Sequence, residues 1–242
     1  MLVLMSPDLR LTYKKVTIML QYTQSTPTID YDTPVVSDFA RENTRGCADG
    51  REQSISLYYA VRDSIRYDPY RINLSVEGLR ASTTLKVGHG WCISKSILLA
   101  ACCRFLGIPA RLGFVDVHNH LSTERMRETM KTEVFFWHGY ASIYLDGVWV
   151  KATPAFNIEL CHKFRLKPLD FDGINDSIYH PFDLDGNRHM EYVKFLGESP
   201  DVPIDEIRET FEREYPSGLS WDHADFDDDV DKETRNDRSR ES

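Results

Sequence analysis

The sequence places a cysteine and a histidine in an arrangement that suits thiol chemistry. Cys92 ends a glycine-bracketed stretch, Gly88 to Cys92, and directly precedes a long apolar segment, Ile93 to Phe105. His138 follows 46 residues later in an aromatic, β-compatible stretch. A thiolate is a strong nucleophile, and histidine is the side chain that exchanges protons most readily near neutral pH. The pair therefore indicates attack on a carbonyl, with Cys92 as the nucleophile and His138 as its base.

The segment after Cys92 is apolar on nearly every face, so we predict a buried central helix with Cys92 in its first turn. Unpaired N–H groups at a helix start stabilise a thiolate, so we expect a depressed pKa for Cys92. Backbone donors at Trp91 and Cys92, or the indole of Trp91, are candidates to hold an oxyanion. The competing interpretation is that Cys92 is a small buried residue and His138 an ordinary strand histidine.

Turn residues mark the elements that must position the pair. Gly107 followed by Pro109 predicts that the central helix ends near Leu106. The β-compatible stretches and an Asp-Gly turn then predict three strands, over Ala110–Val117, Glu133–Leu145 and Val148–Thr153. Further along, we predict a short amphipathic helix around Ile204–Tyr215 within an irregular α+β cap formed by residues 157–215.

The Asp-Gly turn is a two-residue loop, which decides the pairing of the hairpin. Counting outward from it places Tyr140 opposite Thr153, with His138 diagonal to Thr153. Side-chain alternation puts five residues on one face: Phe136, His138, Tyr140, Thr153 and Asn157. The other face carries Trp137, Ala141, Ile143 and Leu145. We expect the first face to hold the histidine and its orienting partner against the helix-borne thiol.

Together these motifs resemble the transglutaminase-like superfamily, and in particular bacterial proteins described only as transglutaminase-like. The resemblance covers roughly residues 53–155. It is carried by Gly90-Trp91-Cys92 and its helix, Gly107-Ile108-Pro109-Ala110-Arg111, His138 and Asp146-Gly147-Val148-Trp149-Val150. In that papain-related family the fold is α+β, with a cysteine-bearing central helix packed on an antiparallel sheet and a Cys-His-Asp triad.

The resemblance implies that Cys92 and His138 are the first two members of the triad. The family's aspartate lies just before a proline on the strand after the hairpin, where this chain has Thr153. A threonine hydroxyl can accept a hydrogen bond but has no charge to stabilise an imidazolium. Two other residues are candidates to orient the histidine: Asn157, by analogy with Cys-His-Asn enzymes, and Asp116 at the end of the preceding strand.

The chain of 242 residues has room for one sizeable core with extensions. We divide it into an N-terminal extension (1–18), a transglutaminase-like domain (19–216) and an acidic tail (217–242). From Asp222 onward nine acidic residues accompany four basic ones, with few apolar residues between them. This composition predicts a disordered tail.

Composition also limits the partners. A formal net charge of −9 argues against nucleic acid or an anionic membrane as the main partner. Charges and a proline interrupt residues 1–20, which therefore match neither a signal peptide nor a membrane span. Five cysteines without a CxxC pair favour a reducing, cytoplasmic location. The histidines match no strong zinc template, so we expect no metal and no cofactor, and the oligomeric state stays open.

We therefore expect an enzyme whose substrate is a peptide or another amide. The Cys92 thiolate would attack the carbonyl and form a thioester, which then meets water or an amine. Water would make the protein an amidase or peptidase, and an amine would make it an acyltransferase; the sequence does not choose between them. The alternative is a transglutaminase-like binding module that has lost catalysis, an interpretation motivated by Thr153 in the carboxylate position.

Overall fold

The fold was analysed in a computed structural model, which describes residues 19–119, 122–179, 182–186, 188–215, 217–219, 221 and 224–240. The expected extension over 1–18 lies outside these residues. The helices in the described part are α1 Pro34–Asn43, α2 Gly50–Ser64, α3 Val76–Leu79, α4 Ala81–Val87, α5 Cys92–Phe105, α6 Glu124–Met130, α7 Ile158–Lys163, α8 Ile204–Glu214 and α9 Phe226–Arg240, besides a 3-10 turn at Pro69–Arg71. The strands are β1 Arg66–Tyr67, β2 His89–Gly90, β3 Ala110–Asn119, β4 Val134–Leu145, β5 Val148–Ala152 and β6 Met190–Ser199.

Helix α5 is the centre of the fold, as its all-round apolar sequence predicts. It is buried along almost its whole length and packs between the sheet strands β3 and β4 and the helices α1, α2 and α4. At its end Gly107 has a left-handed φ of 76°, and the Ile108 N–H returns to the Cys103 carbonyl at 2.9 Å. This glycine-terminated cap is the one that Gly107 and Pro109 predict. The predicted α+β fold, with a cysteine-bearing helix on an antiparallel sheet, is confirmed.

The main sheet is antiparallel, with the strand order β5-β4-β3-β6. The hairpin closes as predicted, with Leu145 opposite Val148, although β5 ends at Ala152 and so stops one residue before Thr153. Ala141, Ile143 and Leu145 face the core under α5, whereas Tyr140 packs with Val115 and Val117 in a second cluster. The alternation predicted for this half of the hairpin is therefore correct, but α5 packs on the face of Ala141, Ile143 and Leu145 and not, as expected, on the face of Tyr140.

A β-bulge changes the alternation near His138. Val115 pairs with His138 and Val117 with Phe135, so Phe136 and Trp137 together oppose the single residue Asp116. Trp137 has a φ of 59°, and its N–H donates to Asp116 Oδ1 at 3.0 Å. The extra residue reverses the facing of everything before it in the strand. Phe136 consequently packs with the main core and not beside Tyr140, which corrects the predicted face.

Strand β6 was not predicted as an element. Residues 157–215 were expected to form an irregular α+β cap in which only the helix near 204–215 was placed. The strand pairs with β3 at the edge of the sheet, and its register shifts twice, between Phe114 and Val115 and between Asp116 and Val117. Much of the strand is exposed. A bulged edge strand with little burial shows no regular polar and apolar alternation, which is why its sequence lacks a strand signature.

The acidic tail is more ordered than its composition predicts. The amphipathic helix expected near 204–215 is present as α8, and α9 follows over Phe226–Arg240. Phe226 and Val230 are buried on one side of α9, four residues apart, and Phe226 contacts the rings of Tyr67 and Tyr70. The expectation of disorder over 217–242 is therefore wrong for the start of α9. Tertiary partners stabilise this turn, and composition alone contains no information about them. Within the described ranges, each helix is too short or too polar to cross a membrane.

Candidate active site

The thiol of Cys92 lies where the start of α5 meets strand β4. Cys92 is the first residue of the helix and only 5% exposed, and the Gly139 N–H donates to its Sγ at 3.5 Å. A Cβ at position 139 would lie 2.9 Å from Ile93 Cγ1 and 3.0 Å from Ile93 Cα. The absence of a side chain at Gly139 therefore lets the helix approach the strand closely enough for this contact.

Burial and backbone donors act in opposite directions on this thiol. Desolvation raises the pKa of Cys92 to about 11, while N–H groups of Gly139, Ile93 and Cys92 itself lower it by a smaller amount. The expected stabilisation by the helix start is present, but the expected net depression of the pKa is not found. Burial of the sulfur therefore raises the pKa of the thiol by more than the three backbone donors lower it.

His138 lines the same cleft as Cys92 and is also buried. Burial lowers its pKa to about 4, and a hydrogen bond with the backbone of Ile178 works in the other direction. Among the described residues, Nε2 of His138 has no hydrogen-bond partner. The imidazole is therefore neutral at physiological pH, with a ring nitrogen left over to exchange a proton.

Thr153 lies beside His138 but does not orient it by a hydrogen bond. The two residues line a small second cavity, and Thr153 Oγ1 is buried without a partner in the part of the chain that the structure describes. Its carbonyl accepts from the Tyr58 hydroxyl at 3.3 Å. The predicted proximity of Thr153 and His138 is found, while the ring's own hydrogen bond goes to the backbone of Ile178.

The two other orienting candidates have different partners. Asn157 Oδ1 accepts from the Tyr67 N–H at 3.0 Å, and its Nδ2 donates to Glu159 at 2.7 Å. Asp116 accepts from the Trp137 N–H, one residue before His138, and burial raises its pKa. Asn157 therefore holds the end of β1, and Asp116 stabilises the bulge. Asp116 thus affects the placement of His138 through the backbone, not through the ring.

The predicted oxyanion donors are partly engaged. The Trp91 N–H donates to Ser94 Oγ at 2.9 Å, a cap that starts α5. The backbone of Trp91 is thus used within the helix, while its side chain lines the cleft. The remaining donors near the sulfur are those of Cys92, Ile93 and Gly139. Gly139 and Ile178 are the contributors that sequence reasoning missed, because a backbone group can come from any residue type.

The cleft that contains Cys92 and His138 is here called the Cys92 cleft, and its empty space, together with open solvent at its mouth, amounts to about 520 Å³. It is lined by Tyr67, Pro69, Ile72, Trp91, Cys92, Val117, Asn119, Met126, Met130, Phe135, Phe136, His138, Met190, Phe211, Tyr215, Leu219 and Trp221. A largely apolar pocket with a few convergent polar groups is the usual form of a small-molecule site. Among the residues that the structure describes, no group of three or more His, Cys, Asp or Glu side chains is placed to hold a metal ion.

Comparison with known families agrees with this geometry. Residues 37–154 match the sequence profile of the transglutaminase-like superfamily. This segment is a transglutaminase-like domain. The match includes Cys92 and His138 and ends one residue after Thr153. The lining residues from strand β6, helix α8 and the segment that follows it (Met190, Phe211, Tyr215, Leu219 and Trp221) come after the transglutaminase-like domain in the chain.

Among curated proteins, none matches the chain. Among solved structures, a candidate cysteine protease from Cytophaga hutchinsonii is 14% identical with a TM-score of 0.48, and the match covers 82% of this chain and 49% of that one. A candidate protease from Parabacteroides distasonis is also 14% identical, with a TM-score of 0.35 and coverage of 52% and 25%. The chain thus spans about half the length of the first protein.

Proposed function

We propose that this protein is a cysteine enzyme that acts on an amide or peptide bond through a thioester intermediate. The observation that carries the proposal is the Cys92 cleft itself. A thiol at a helix start, contacted by backbone N–H groups, shares a water-poor cleft with a neutral histidine whose Nε2 has no described partner. This combination supplies a nucleophile, a base and oxyanion donors in one place.

In the proposed reaction, His138 takes the proton of the Cys92 thiol, and the sulfur attacks the carbonyl carbon. Backbone N–H groups around the sulfur stabilise the negative charge that develops on the carbonyl oxygen. The C–N bond then breaks, and His138 returns the proton to the departing amine. In the second half, water or an amine gives a proton to His138 and attacks the thioester. The C–S bond breaks, and the departing sulfur takes the proton from His138, which restores the Cys92 thiol and the neutral imidazole.

The test is a turnover assay with N-blocked amino acid amides that release a fluorescent amine, run with and without hydroxylamine. We expect release of the amine by the wild type and an acyl group on Cys92 after acid quenching and peptide mass spectrometry. Hydroxamate formation in competition with hydrolysis would measure how well an amine replaces water as the acceptor.

Two variants and one control make this test specific. Cys92→Ala should abolish both release and acylation, and His138→Ala should reduce the rate by about 100-fold or more. Cys47→Ala changes a partly exposed cysteine outside the Cys92 cleft and should leave the rate unchanged. Release that persists in Cys92→Ala, or its absence from the wild type with every amide, would contradict the proposal.

A second function, a binding module without catalysis, is supported by one observation. Thr153 stands where the family's aspartate is expected, and its hydroxyl is buried without a described partner. An aspartate there would place a carboxylate in the small cavity that it shares with His138 and would raise the pKa of the imidazole. If the wild type is inactive and Thr153→Asp gains Cys92-dependent turnover, catalysis has been lost at this position. An active wild type excludes the binding-module interpretation.

A further inference from the structure

We infer that the Cys92 cleft selects an uncharged substrate whose acyl side carries a large apolar side chain. This inference rests on the proposed function and adds the substrate class to it. Among the described residues that line the cleft, none is an aspartate, glutamate, lysine or arginine. A charged substrate group would lose its hydration there without meeting a counter-ion, which strongly disfavours its entry.

The hydroxyl of Tyr215, one of the polar groups among the lining residues, is occupied by the protein itself. Tyr215 contributes its ring to the lining, while its hydroxyl accepts from the Phe136 N–H at 3.0 Å and donates to the Val134 carbonyl at 3.4 Å. Tyr215 is buried, and burial raises the pKa of its hydroxyl. Phe136 packs its ring against that of Tyr215 at 5.7 Å. The side presented to a substrate is therefore hydrocarbon.

Methionines supply the adaptable part of the wall. Met126 and Met130 come from α6, and Met190 comes from the start of β6. Methionine side chains are unbranched and flexible, so they fit apolar groups of different shape better than they fit one group alone. We therefore expect the cleft to accept aromatic and branched aliphatic side chains alike and to discriminate mainly against charge.

The experiment uses four N-blocked amides that share one leaving amine and carry phenylalanine, leucine, glutamate or lysine on the acyl side. We expect kcat/KM for phenylalanine and leucine to exceed that for glutamate and lysine by at least about tenfold. Equal Cys92-dependent use of all four amides overturns the specificity while leaving the proposed function intact. If no amide is turned over, the proposed function fails. The specificity is then decided by equilibrium binding of the four amides to Cys92→Ala, where the affinity for the phenylalanine and leucine amides should exceed that for the glutamate and lysine amides by at least about tenfold.

Two variants place a charge in the wall. Met126→Glu changes α6, and Phe135→Glu replaces a partly buried ring on β4. Because the two substitutions lie on different elements, at least one variant is expected to fold. Each should shift the lysine-to-phenylalanine ratio of kcat/KM toward lysine by about tenfold. The matched control Val148→Glu adds the same charge at a position that is 57% exposed and outside the cleft, and should leave the ratio unchanged. An unchanged ratio in both folded wall variants contradicts the assignment.

A different observation carries a second inference: we infer that the C-terminal strap, here defined as the described residues 217–219, 221 and 224–234, is an autoinhibitory cover of the Cys92 cleft. Leu219 and Trp221 of the strap line the cleft, and the Trp221 indole stacks on the ring of Tyr70 at 4.7 Å with an interplanar angle of 13°. Cys92 is only 5% exposed beneath this cover. A substrate can reach the sulfur only after part of the cleft boundary moves.

Ion pairs hold α9, the helical part of the strap, against the rest of the protein. Four basic side chains of the surrounding elements meet four acids of α9 in the pairs Arg66–Asp227 at 2.9 Å, Arg125–Asp229 at 2.7 Å, Lys163–Asp231 at 2.6 Å and Arg127–Glu233 at 3.5 Å. The basic partners are a third to a half exposed, so added salt screens these pairs. In addition, the Trp221 indole N–H is buried without an acceptor among the described residues, which weakens the closed arrangement.

Alkylation of the full chain by iodoacetamide at pH 8.5, mapped to each cysteine, tests this inference without any substrate. We expect Cys92 to react about fivefold faster in Asp229→Asn than in the wild type, a factor that corresponds to about 1 kcal/mol. Raising NaCl from 0.05 to 0.5 M should also increase the rate at which Cys92 of the wild type is alkylated. Cys102, in the same helix and fully buried, should stay slow throughout because only the cover opens.

The matched control is Asp38→Asn, which breaks an exposed ion pair with Arg41 on α1 and should leave the Cys92 rate unchanged. A Cys92 rate that responds neither to salt nor to Asp229→Asn overturns the inference. So does a parallel increase at Cys102, because that result would indicate general unfolding. Either outcome leaves the proposed amide chemistry to be judged by its own assay.

Discussion

The two sides of the Cys92 cleft are held in different ways. One side is formed by α5 and the strand β4 beside it, and it is here called the catalytic side because it carries the proposed nucleophile and base. On this side, buried side chains donate to backbone carbonyls: Ser96 Oγ donates to the Gly139 carbonyl at 3.2 Å, and Lys95 Nζ donates to the Arg62 carbonyl at 2.9 Å. On the strap side, partly exposed charges such as Arg125 and Asp229 meet at the surface. Buried hydrogen bonds do not respond to salt, whereas exposed ion pairs do.

This difference separates the position of the thiol from access to it. The catalytic side belongs largely to the transglutaminase-like domain, and the strap lies beyond it. A change on the catalytic side should therefore cost stability and activity together. A change on the strap side should alter the accessibility of Cys92 at little cost in the free energy of unfolding.

The largest effect on activity is expected from Gly139→Ala, which disrupts the contact between α5 and β4 on the catalytic side. Its Cβ would press on Ile93 and move the start of α5 away from β4. We expect a loss of about 1–3 kcal/mol in the free energy of unfolding and a fall in activity on the order of 100-fold. Denaturant unfolding and the amide assay measure the two quantities.

Gly113→Ala is the matched control on the neighbouring strand. Its Cβ would meet the ring of Tyr140, which belongs to the cluster on the other side of the sheet. It should also lower the free energy of unfolding, but leave the activity of the folded fraction close to that of the wild type. Equal activity losses in the two variants would show that the contact at Gly139 has no special role.

Lys95→Met tests the buried ammonium group of Lys95, on the catalytic side, through the pH dependence of the free energy of unfolding. Burial lowers the pKa of Lys95 to about 7, whereas the unfolded chain has a lysine pKa of about 10.4. Between these values the unfolded state binds more protons, so wild-type stability rises with pH relative to the variant, by up to about 4 kcal/mol. Below about pH 7 the difference between the two proteins should be constant. Urea unfolding from pH 6 to 10 measures it, and a flat difference would contradict the prediction.

Tyr70→Phe tests a hydroxyl that bonds the strap to the rest of the protein. The Tyr70 hydroxyl donates to Asp229 of the strap at 3.0 Å and also contacts Thr123 Oγ1 at 2.5 Å. Its removal should cost about 1 kcal/mol of unfolding free energy and speed the alkylation of Cys92. Tyr59→Phe removes a hydroxyl that accepts from the Phe171 N–H at 3.2 Å, outside the cleft. It should cost a similar free energy without changing the alkylation rate.

The smallest effect is expected from Arg66→Ala on the strap side. The guanidinium of Arg66 is 45% exposed where it pairs with Asp227. We expect a change in the free energy of unfolding of at most about 0.5 kcal/mol, vanishing at high salt. Thermal unfolding at two salt concentrations checks this, and a loss of several kcal/mol would show that the strap is held like the catalytic side.

Local sequence patterns were sufficient to predict much of the catalytic side. The apolar run after Cys92, the glycine cap at Gly107 and the Asp-Gly hairpin each act through nearby residues, and all three are present. The bulge at Trp137 and the edge strand β6 escaped prediction because they depend on pairing with β3. The start of α9 also escaped prediction because it depends on partners that are distant in sequence: its carboxylates form ion pairs with basic residues of other elements.

The sequence by itself determined which groups can do chemistry, the thiol of Cys92 and the imidazole of His138, and the helix and hairpin that present them. Only the tertiary structure decided their protonation, because burial shifts the pKa of the thiol upward and that of the imidazole downward. It also decided that backbone groups of Gly139 and Ile178 contact them. Periodicity and capping are local properties of the chain, whereas desolvation and backbone contacts depend on segments far apart in sequence.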